Sequence, residues 1–415
     1  MNSAALRSAK SIDLISLLAF RFSSAVTCAQ PLAAAPADGS DKFSLRHSLR
    51  SKRNFPGPEV ALRPPHADAI LLCQKAKKIG GAPGPATSHS KGNHMQHIRL
   101  TTATDVLAAI PAILGFVPAD SVVMVALTED GTLAFVARTD AQQAASVEQF
   151  RIAVPQSNVA MVIWIVVGTG SIAAAGLDHI EQAQRELDTL GVRSVRTLVT
   201  SSLEADAEWF DLSGDESGRT ADHTVSDTTM ARMMQGRHTS SSRDEIESRY
   251  NEHETAADMD DAHAAAREQG EEFGSTTIAE LAEIVRNFYV PSPELSARVG
   301  LCAAMDPHHR DALIGVISIN QAAAVDAFTT IAAHLRGTYR VEILTIAGIA
   351  SYVAADGVCA AIAFDAARRT DAHPSNLLDL LETSLANGVN PKLIAELVAI
   401  GVEVARSMGV TLDTE

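Results

Sequence analysis

The sequence predicts an α/β domain, a mixed or parallel sheet flanked by helices, followed by an all-α domain of helical hairpins. Three observations support this. Strand-like apolar runs alternate with amphipathic segments over residues 95–212. Acids, Ser, Thr and His replace the apolar runs over 213–274, and from residue 277 every strong segment has the helical period. Strands separated by helices imply a sheet with helices packed on it.

The elements of the first domain are predicted from local patterns. Thr102 or Thr104 is the expected cap of a short helix that reaches Ile110, and Pro111 disturbs the helical pattern beyond that residue. A hairpin is expected around residues 128–131, where Thr-Glu-Asp-Gly separates two strand-like runs. Expected strands cover 121–127, 132–138, 159–167, 192–200 and an edge strand at 208–212; expected helices cover 141–151 and 172–190.

The rest of the chain divides into two parts. We interpret 213–274 as an acidic flexible insertion or linker, with a short helix at 240–250. The all-α domain covers 275–415, with helices expected at 278–289, 311–319, 322–335, 341–354, 358–369, 377–386 and 391–408. Gly348, Ala360, Phe364 and Ala367 have a weakly tetratricopeptide-like spacing, but plain helical-hairpin packing is the favoured interpretation.

Residues 1–94 have three interpretations. Folded-looking sequence begins at Met95, so a start codon assigned too far upstream is favoured. A secretory signal over 11–20 is less well supported, because Asp13 interrupts the apolar region and Arg21 closes it early. The third is a disordered arm, since 31–93 is rich in Pro, Ser, Gly, Ala and scattered basic residues.

Charge and composition restrict the function classes. Of the net charge of −16, residues 1–94 contribute 13 Lys and Arg against 5 Asp and Glu, so the remaining chain is strongly acidic. Such a body repels nucleic acid and anionic membranes, and we expect neither as a partner. The 4 cysteines form no CxxC pair, which indicates a reducing compartment, the cytoplasm. The most apolar stretch, 341–364, is interrupted by Glu342 and Asp356 and predicts no membrane span.

Two groups of residues are candidate ligand-binding sites. Asp120, Ser121, Arg138 and Asp140 flank strands that should be adjacent; they suit a polar ligand or, more simply, an ion-pair network at the end of a sheet. Gly168 and Gly170 lie between an apolar strand and a helix, where backbone N–H groups can hold a phosphate; a tight strand-helix turn is the simpler interpretation.

Other chemistry-bearing residues have simpler explanations. The acids and histidines between His253 and His263 match no closed metal site, so solvated charge is favoured and no metal is expected. Asp306 followed by Pro307 is typical of a helix start. Cys302 and Cys359 lie in apolar helices and are expected to be buried. The sequence identifies neither catalytic residues nor a cofactor.

The stretch from Ile110 to Val125, with Gly115-Phe116-Val117-Pro118-Ala119-Asp120-Ser121, and the strand end Ala137-Arg138-Thr139-Asp140 resemble a family catalogued as a domain of unknown function, number 4192. The resemblance implies a bacterial protein and carries no known activity. From the residues we expect a non-catalytic protein-binding or regulatory module that contacts its partner through the C-terminal helices. The alternative is a small-ligand or nucleotide-binding enzyme or sensor with its site at the strand carboxyl ends.

Overall fold

A computed structural model of the chain describes residues 100–142, 154, 157–234, 236–370, 372–373 and 375–412. The interpretations of residues 1–94 and most of the helix expected at 141–151 lie outside the described residues. The predicted fold class is confirmed: a mixed sheet with flanking helices precedes a helix-rich region. No described helix is both long and apolar enough to cross a membrane.

Helix α1 (Ala103–Leu114) begins with the predicted cap at Thr102. The Thr102 hydroxyl accepts a hydrogen bond from the Asp105 amide at 3.1 Å, and the Asp105 carboxylate accepts one from the Thr102 amide at 3.0 Å. The helix runs past Ile110, the predicted end, because Leu107, Ile110 and Leu114 all enter the core. It ends at Gly115, whose φ of 87° is left-handed.

The sheet has six strands in the order β2-β1-β3-β4-β5-β6. Only β3 and β4 are parallel, and α2 (Gly170–Thr189) connects them. The strands are β1 (Ser121–Leu127), β2 (Leu133–Asp140), β3 (Met161–Val167), β4 (Arg193–Thr200), β5 (Glu208–Asp211) and β6 (Ser217–Arg219). The predicted β1–β2 hairpin is present. The strand expected at the edge, β5, instead lies between β4 and β6.

Apolar residues fill both faces of the sheet. In β1, Val123 and Val125 belong to one core with α1, while Val122 and Met124 belong to a second core with α2. Burial on both faces explains why β1 and β3 have continuous apolar sequences rather than alternating ones. The α1 core continues without a break into the helices that come after the sheet.

Residues 213–274 contain regular structure that is not expected of a flexible linker. Besides β6 they hold α3 (Asp227–Met234), α4 (Arg243–Ser248) and α5 (Met259–Gln269). Tyr250 is buried, and its hydroxyl donates to the carbonyl of Cys359 at 3.3 Å. The short helix predicted at 240–250 is present as α4, and α3 and α5 are helices that the sequence did not predict. The mobility of the segment stays a prediction.

The helix-rich region is built around α10 (Gly337–Val353), which is buried over most of its length. Gly348 faces Phe364 of α11 so closely that a Cβ on Gly348 would lie 2.1 Å from the ring. This contact gives the tetratricopeptide-like spacing a packing role, and plain helical-hairpin packing stays the favoured interpretation of it. The other helices are α6 (Phe273–Asn287), α7 (Pro293–Met305), α8 (Pro307–Gly315), α9 (Gln321–His334), α11 (Gly357–Arg369), α12 (Asn376–Ala386) and α13 (Pro391–Ser407).

Candidate functional site

Strand direction places all six sequence-predicted site residues at the same end of the strands, here called the sheet edge. Ser121 begins β1 opposite Asp140 at the end of β2 and opposite Val167 at the end of β3. Gly168 comes directly after Val167, and its amide donates to the carbonyl of Thr200 at 2.9 Å. The two candidate groups are therefore neighbours, and they lie at the strand carboxyl ends of β2, β3 and β4.

Arg138 is the centre of the first group. It is 8% exposed, its Nε donates to the Ser121 hydroxyl at 2.8 Å, and its guanidinium forms an ion pair with Asp140. The guanidinium carbon also lies 5.9 Å from the centre of the Phe116 ring. The Ser121 hydroxyl in turn donates to the carbonyl of Ala119 at 2.6 Å. Because these polar groups satisfy one another, their geometry is that of an ion-pair network at the end of a sheet.

The glycine turn of the second group lies beside a carboxylate. A Cβ on Gly168 would lie 2.7 Å from Ile172 Cγ2 and 3.7 Å from Asp120 Oδ1. Thr169, the first residue outside α2, makes no side-chain capping bond, so the first-turn amides of α2 have no side chain from this position. The Asp120 carboxylate opposes a phosphate at this turn by charge repulsion. A tight strand-helix packing requirement explains Gly168 without a ligand.

The other residues that the sequence analysis singled out have structural roles or lack the geometry of a reactive site. Asp306 caps α8 by accepting a hydrogen bond from the His308 amide at 2.8 Å, as predicted. Asp258 caps α5 in the same way, with its Oδ1 2.9 Å from the Asp260 amide. Burial raises the pKa of the Cys302 thiol to about 12, so this thiol is not a ready nucleophile. Across the described parts of the chain, no group of three or more His, Cys, Asp and Glu side chains has a metal-binding arrangement.

Sequence analysis missed a cleft of about 600 Å³ between α5, α7 and the start of α10, here called the helical cleft. Its lining includes Met259 and His263 of α5, Leu301 and Met305 of α7, Leu335, and Tyr339 of α10. The Tyr339 hydroxyl and His263 Nε2 are 3.3 Å apart and form the polar part of the wall. No local sequence signal identifies the cleft, because its walls come from segments as far apart as residues 256 and 339.

Charged groups border the helical cleft at the start of α10. Arg336 lines it, and its Nε lies 2.8 Å from Glu252 Oε2. Arg340, one turn along, lies 3.4 Å from the other oxygen of the same carboxylate. Two guanidinium groups therefore share one carboxylate. Of the two, Arg336 lines the cleft and also donates to the backbone carbonyls of Ala333, Leu335 and His253, whereas Arg340 is buried.

A second feature missed by sequence analysis is the loop at residues 288–290, here called the aromatic loop. Phe288, Tyr289 and Val290 are 70%, 64% and 79% exposed. Phe288 has a left-handed φ of 56°, which is uncommon for a bulky residue. The Tyr289 amide donates to the carbonyl of Ile284 at 3.0 Å and fixes the loop to α6. Three consecutive large apolar side chains are therefore held in solvent by a defined backbone.

Comparison with known proteins gives one family. No curated protein and no solved structure matches the chain significantly. The sequence model of one family matches residues 104–392, which include the sheet, both missed features and all but the end of the helical region. The chain therefore belongs to the family described as Domain of unknown function (DUF4192).

Proposed function

We propose that this chain is a non-catalytic protein-binding module and that the aromatic loop is its contact site. The observation that carries the proposal is the run of three exposed apolar side chains at residues 288–290. Exposed aromatic residues on a defined backbone are typical anchors of protein interfaces, since their burial contributes much area and loses little conformational entropy.

The backbone of the loop supports this role. A left-handed, non-glycine residue costs roughly 1 kcal/mol or more, and such strain persists where the surrounding structure enforces it, often at functional positions. At Phe288 the enforced conformation ends α6, with the Phe288 amide bonded to the carbonyl of Ile284. Pro291, which is buried, comes directly after the loop. The backbone that carries the two rings is therefore in place before any partner arrives.

This proposal changes the expected contact surface, which the sequence analysis placed on the C-terminal helices. Helix α10 is buried at thirteen of its positions, so it offers little surface to a partner. Of the large apolar side chains in α11, α12 and α13, only Leu393 is among the strongly exposed ones, at 40%. The aromatic loop belongs to the same helical region but provides a much larger exposed apolar group.

Charge and redox state define the setting of this proposal. The acidic excess beyond residue 94 favours a partner whose apolar pocket has a basic rim, and it disfavours nucleic acid. Cys302 and Cys359 are buried free thiols, which supports a reducing, cytoplasmic location. The mutual bonding of Arg138, Ser121 and Asp140 supports a structural rather than a reactive role for the sheet edge.

The test is site-specific photo-crosslinking in cells that make the protein naturally. A photoreactive phenylalanine analogue replaces Tyr289 in one variant and Phe210, which is 51% exposed on β5, in a matched control. We expect one discrete protein adduct from position 289 and none from 210. A further Phe288→Ser change should abolish the adduct while the melting temperature stays within a few degrees. Equal adducts at both positions, or none at 289, would contradict the proposal.

The small-ligand alternative at the sheet edge retains one favourable observation. All six of its candidate residues lie together where α/β sheets commonly bind ligands. A thermal-shift screen of the protein against nucleotides, sugar phosphates and acyl-thioesters tests it. Ligand at a hundredfold above its dissociation constant stabilises by about 2.7 kcal/mol. A shift lost in Gly170→Val or Arg138→Ala would favour this alternative over the protein-binding module.

A further inference from the structure

We propose that the helical cleft binds a small amphipathic monocarboxylate, with its apolar body in the cleft and its carboxylate at the Tyr339–Arg336 end. This site is independent of the aromatic loop and of the sheet edge. The volume of about 600 Å³ lies within the range of pockets that hold small molecules.

The apolar wall indicates the body of the ligand. Leu301 and Leu335 are buried at the base of the cleft, and Met305, 54% exposed, lies on its rim. Met259 completes the wall from α5. The methionines are adaptable side chains that suit a flexible hydrocarbon better than a rigid ring system. Each further methylene of an alkyl chain that is buried in the cleft adds to the affinity, so affinity should rise with chain length.

The polar end indicates the head group. The Tyr339 hydroxyl is a donor, His263 Nε2 is 3.3 Å from it, and the Arg336 guanidinium lines the same cleft. Four of the five guanidinium N–H groups of Arg336 are directed at Glu252 and at the backbone carbonyls of Ala333, Leu335 and His253, which leaves one for a ligand oxygen among the contacts of the described residues. This N–H and the Tyr339 hydroxyl together suit the two oxygens of one carboxylate. A dianionic phosphate would meet stronger repulsion than a monoanion from the acidic first turn of α5, with Asp260 and Asp261.

The experiment is titration calorimetry of the full chain with octanoate, dodecanoate, dodecanol and dodecyl phosphate below their micelle concentrations. We expect one saturable site for dodecanoate, weaker binding of octanoate, and at least tenfold weaker binding of dodecanol and dodecyl phosphate. Equal binding of dodecanol and dodecanoate, or unsaturable binding of several equivalents, would overturn the proposal.

Two variants locate the site. Met305→Asp places a negative charge on the rim and should reduce dodecanoate affinity at least tenfold, whereas Met234→Asp, at a residue 80% exposed on α3, should leave it unchanged. Tyr339→Phe removes one hydroxyl donor and should weaken dodecanoate about tenfold with little effect on dodecanol. Circular dichroism and melting temperature confirm that each variant is folded. Wild-type affinity in Met305→Asp would contradict the assigned position.

Discussion

At the residue scale, Phe288 separates stability from function. Its left-handed φ of 56° is unfavourable for any residue with a Cβ but not for glycine. Phe288→Gly should therefore keep or raise the free energy of unfolding, by up to about 1 kcal/mol, while removing one of the two rings of the aromatic loop. Phe288→Ala is the matched control, since it removes the ring but keeps the strain. Urea denaturation gives the free energy of unfolding of both variants. If the Gly variant is less stable than the Ala variant, the backbone of Phe288 is not strained.

Glu342 is a second residue whose environment leads to a prediction. It lies in α10, is buried, and its Oε2 has no hydrogen-bond partner among the described residues. Burial raises the pKa of its carboxyl above the usual value, and the attraction of Arg310 only partly opposes this. Burial therefore penalises the ionised form of Glu342 in the native state relative to an exposed carboxylate.

Glu342→Gln should accordingly stabilise the protein at pH 7. A raised native pKa means that the group destabilises the native state once pH rises above the unfolded value of 4.5, and that this effect is absent below it. The gain in melting temperature should thus be larger at pH 7 than at pH 4. Differential scanning calorimetry of both proteins at the two pH values measures the gain. A variant that is less stable at pH 7 than at pH 4, relative to wild type, would show that Glu342 has a charged partner.

At the element scale, the strands are predictable from the sequence because burial on both faces of the sheet requires continuous apolar runs. The runs that form β1 and β3 are continuous apolar segments, β2 is predicted from the hairpin turn, and β4 is predicted from its own strand-like run. The sequence misplaces the end of α1 because Pro111 resembles a helix stop, although core contacts of Leu114 continue the helix. Local propensity yields to packing at such a position.

The acidic segment shows the opposite limit. In α5 only Ala262 is buried, and the residues beside it on the same face, Met259, Ala265 and Ala266, are partly buried. The apolar stripe is therefore short and made mostly of alanine, which gives a weak helix signal in the sequence. Its cap at Asp258 and its packing against α7 are what place it. The helical cleft depends on that packing, which explains why neither the helix nor the cleft is predictable from the sequence.

The contact between α10 and α11 yields a prediction about packing. Gly348→Ala would place a Cβ 2.1 Å from Phe364 Cε1, so the ring or a helix must move. Overpacking of this kind destabilises by typically 1–3 kcal/mol. Combining Gly348→Ala with Phe364→Leu should cost less than the sum of the two single changes, because the smaller side chain leaves room for the methyl group. Chemical denaturation of the four proteins gives the coupling free energy. Strict additivity would mean that the two side chains do not limit the approach of the helices.

At the scale of the whole molecule, the site candidates show what topology contributes. Residues 120–121, 138–140 and 168–170 are separated along the chain, and the sequence predicts them only as two independent groups. Antiparallel pairing of β1 with both β2 and β3 brings them to one edge. Proximity alone does not make them a binding site, because Arg138, Ser121 and Asp140 bond to one another. The exposed aromatic loop and the helical cleft arise instead from how helices end and pack, which no local pattern records.

Two histidines, the buried His334 and the half-buried His309, link the stability of the native state to pH. Burial lowers the pKa of His334, and the nearby His253 adds to this, whereas Glu294 opposes it. Burial also lowers the pKa of His309, although Asp306 opposes it. Native pKa values below the unfolded value of 6.5 mean that stability is complete above pH 6.5 and is lost as pH falls below it. The contribution of these two histidines to the free energy of unfolding should therefore decrease between pH 7 and pH 5, and the contribution of Glu342 has the opposite sign over this range.

Substitution of single histidines shows which part of the molecule causes this decrease in the free energy of unfolding. His334 Nδ1 lies 3.0 Å from the Ser296 hydroxyl, so His334→Gln keeps a polar partner for Ser296 but removes the titrating group. We expect this variant to have a shallower pH dependence than wild type between pH 7 and pH 5, whereas His373→Gln, at an exposed histidine, should keep the wild-type slope. Urea denaturation at half-unit pH intervals measures both slopes. Helices α9 and α10 connect the walls of the helical cleft to the central core. If the pH dependence of the free energy of unfolding is unchanged in His334→Gln, the acid-sensitive region lies elsewhere in the molecule. His309 is then the next position to test.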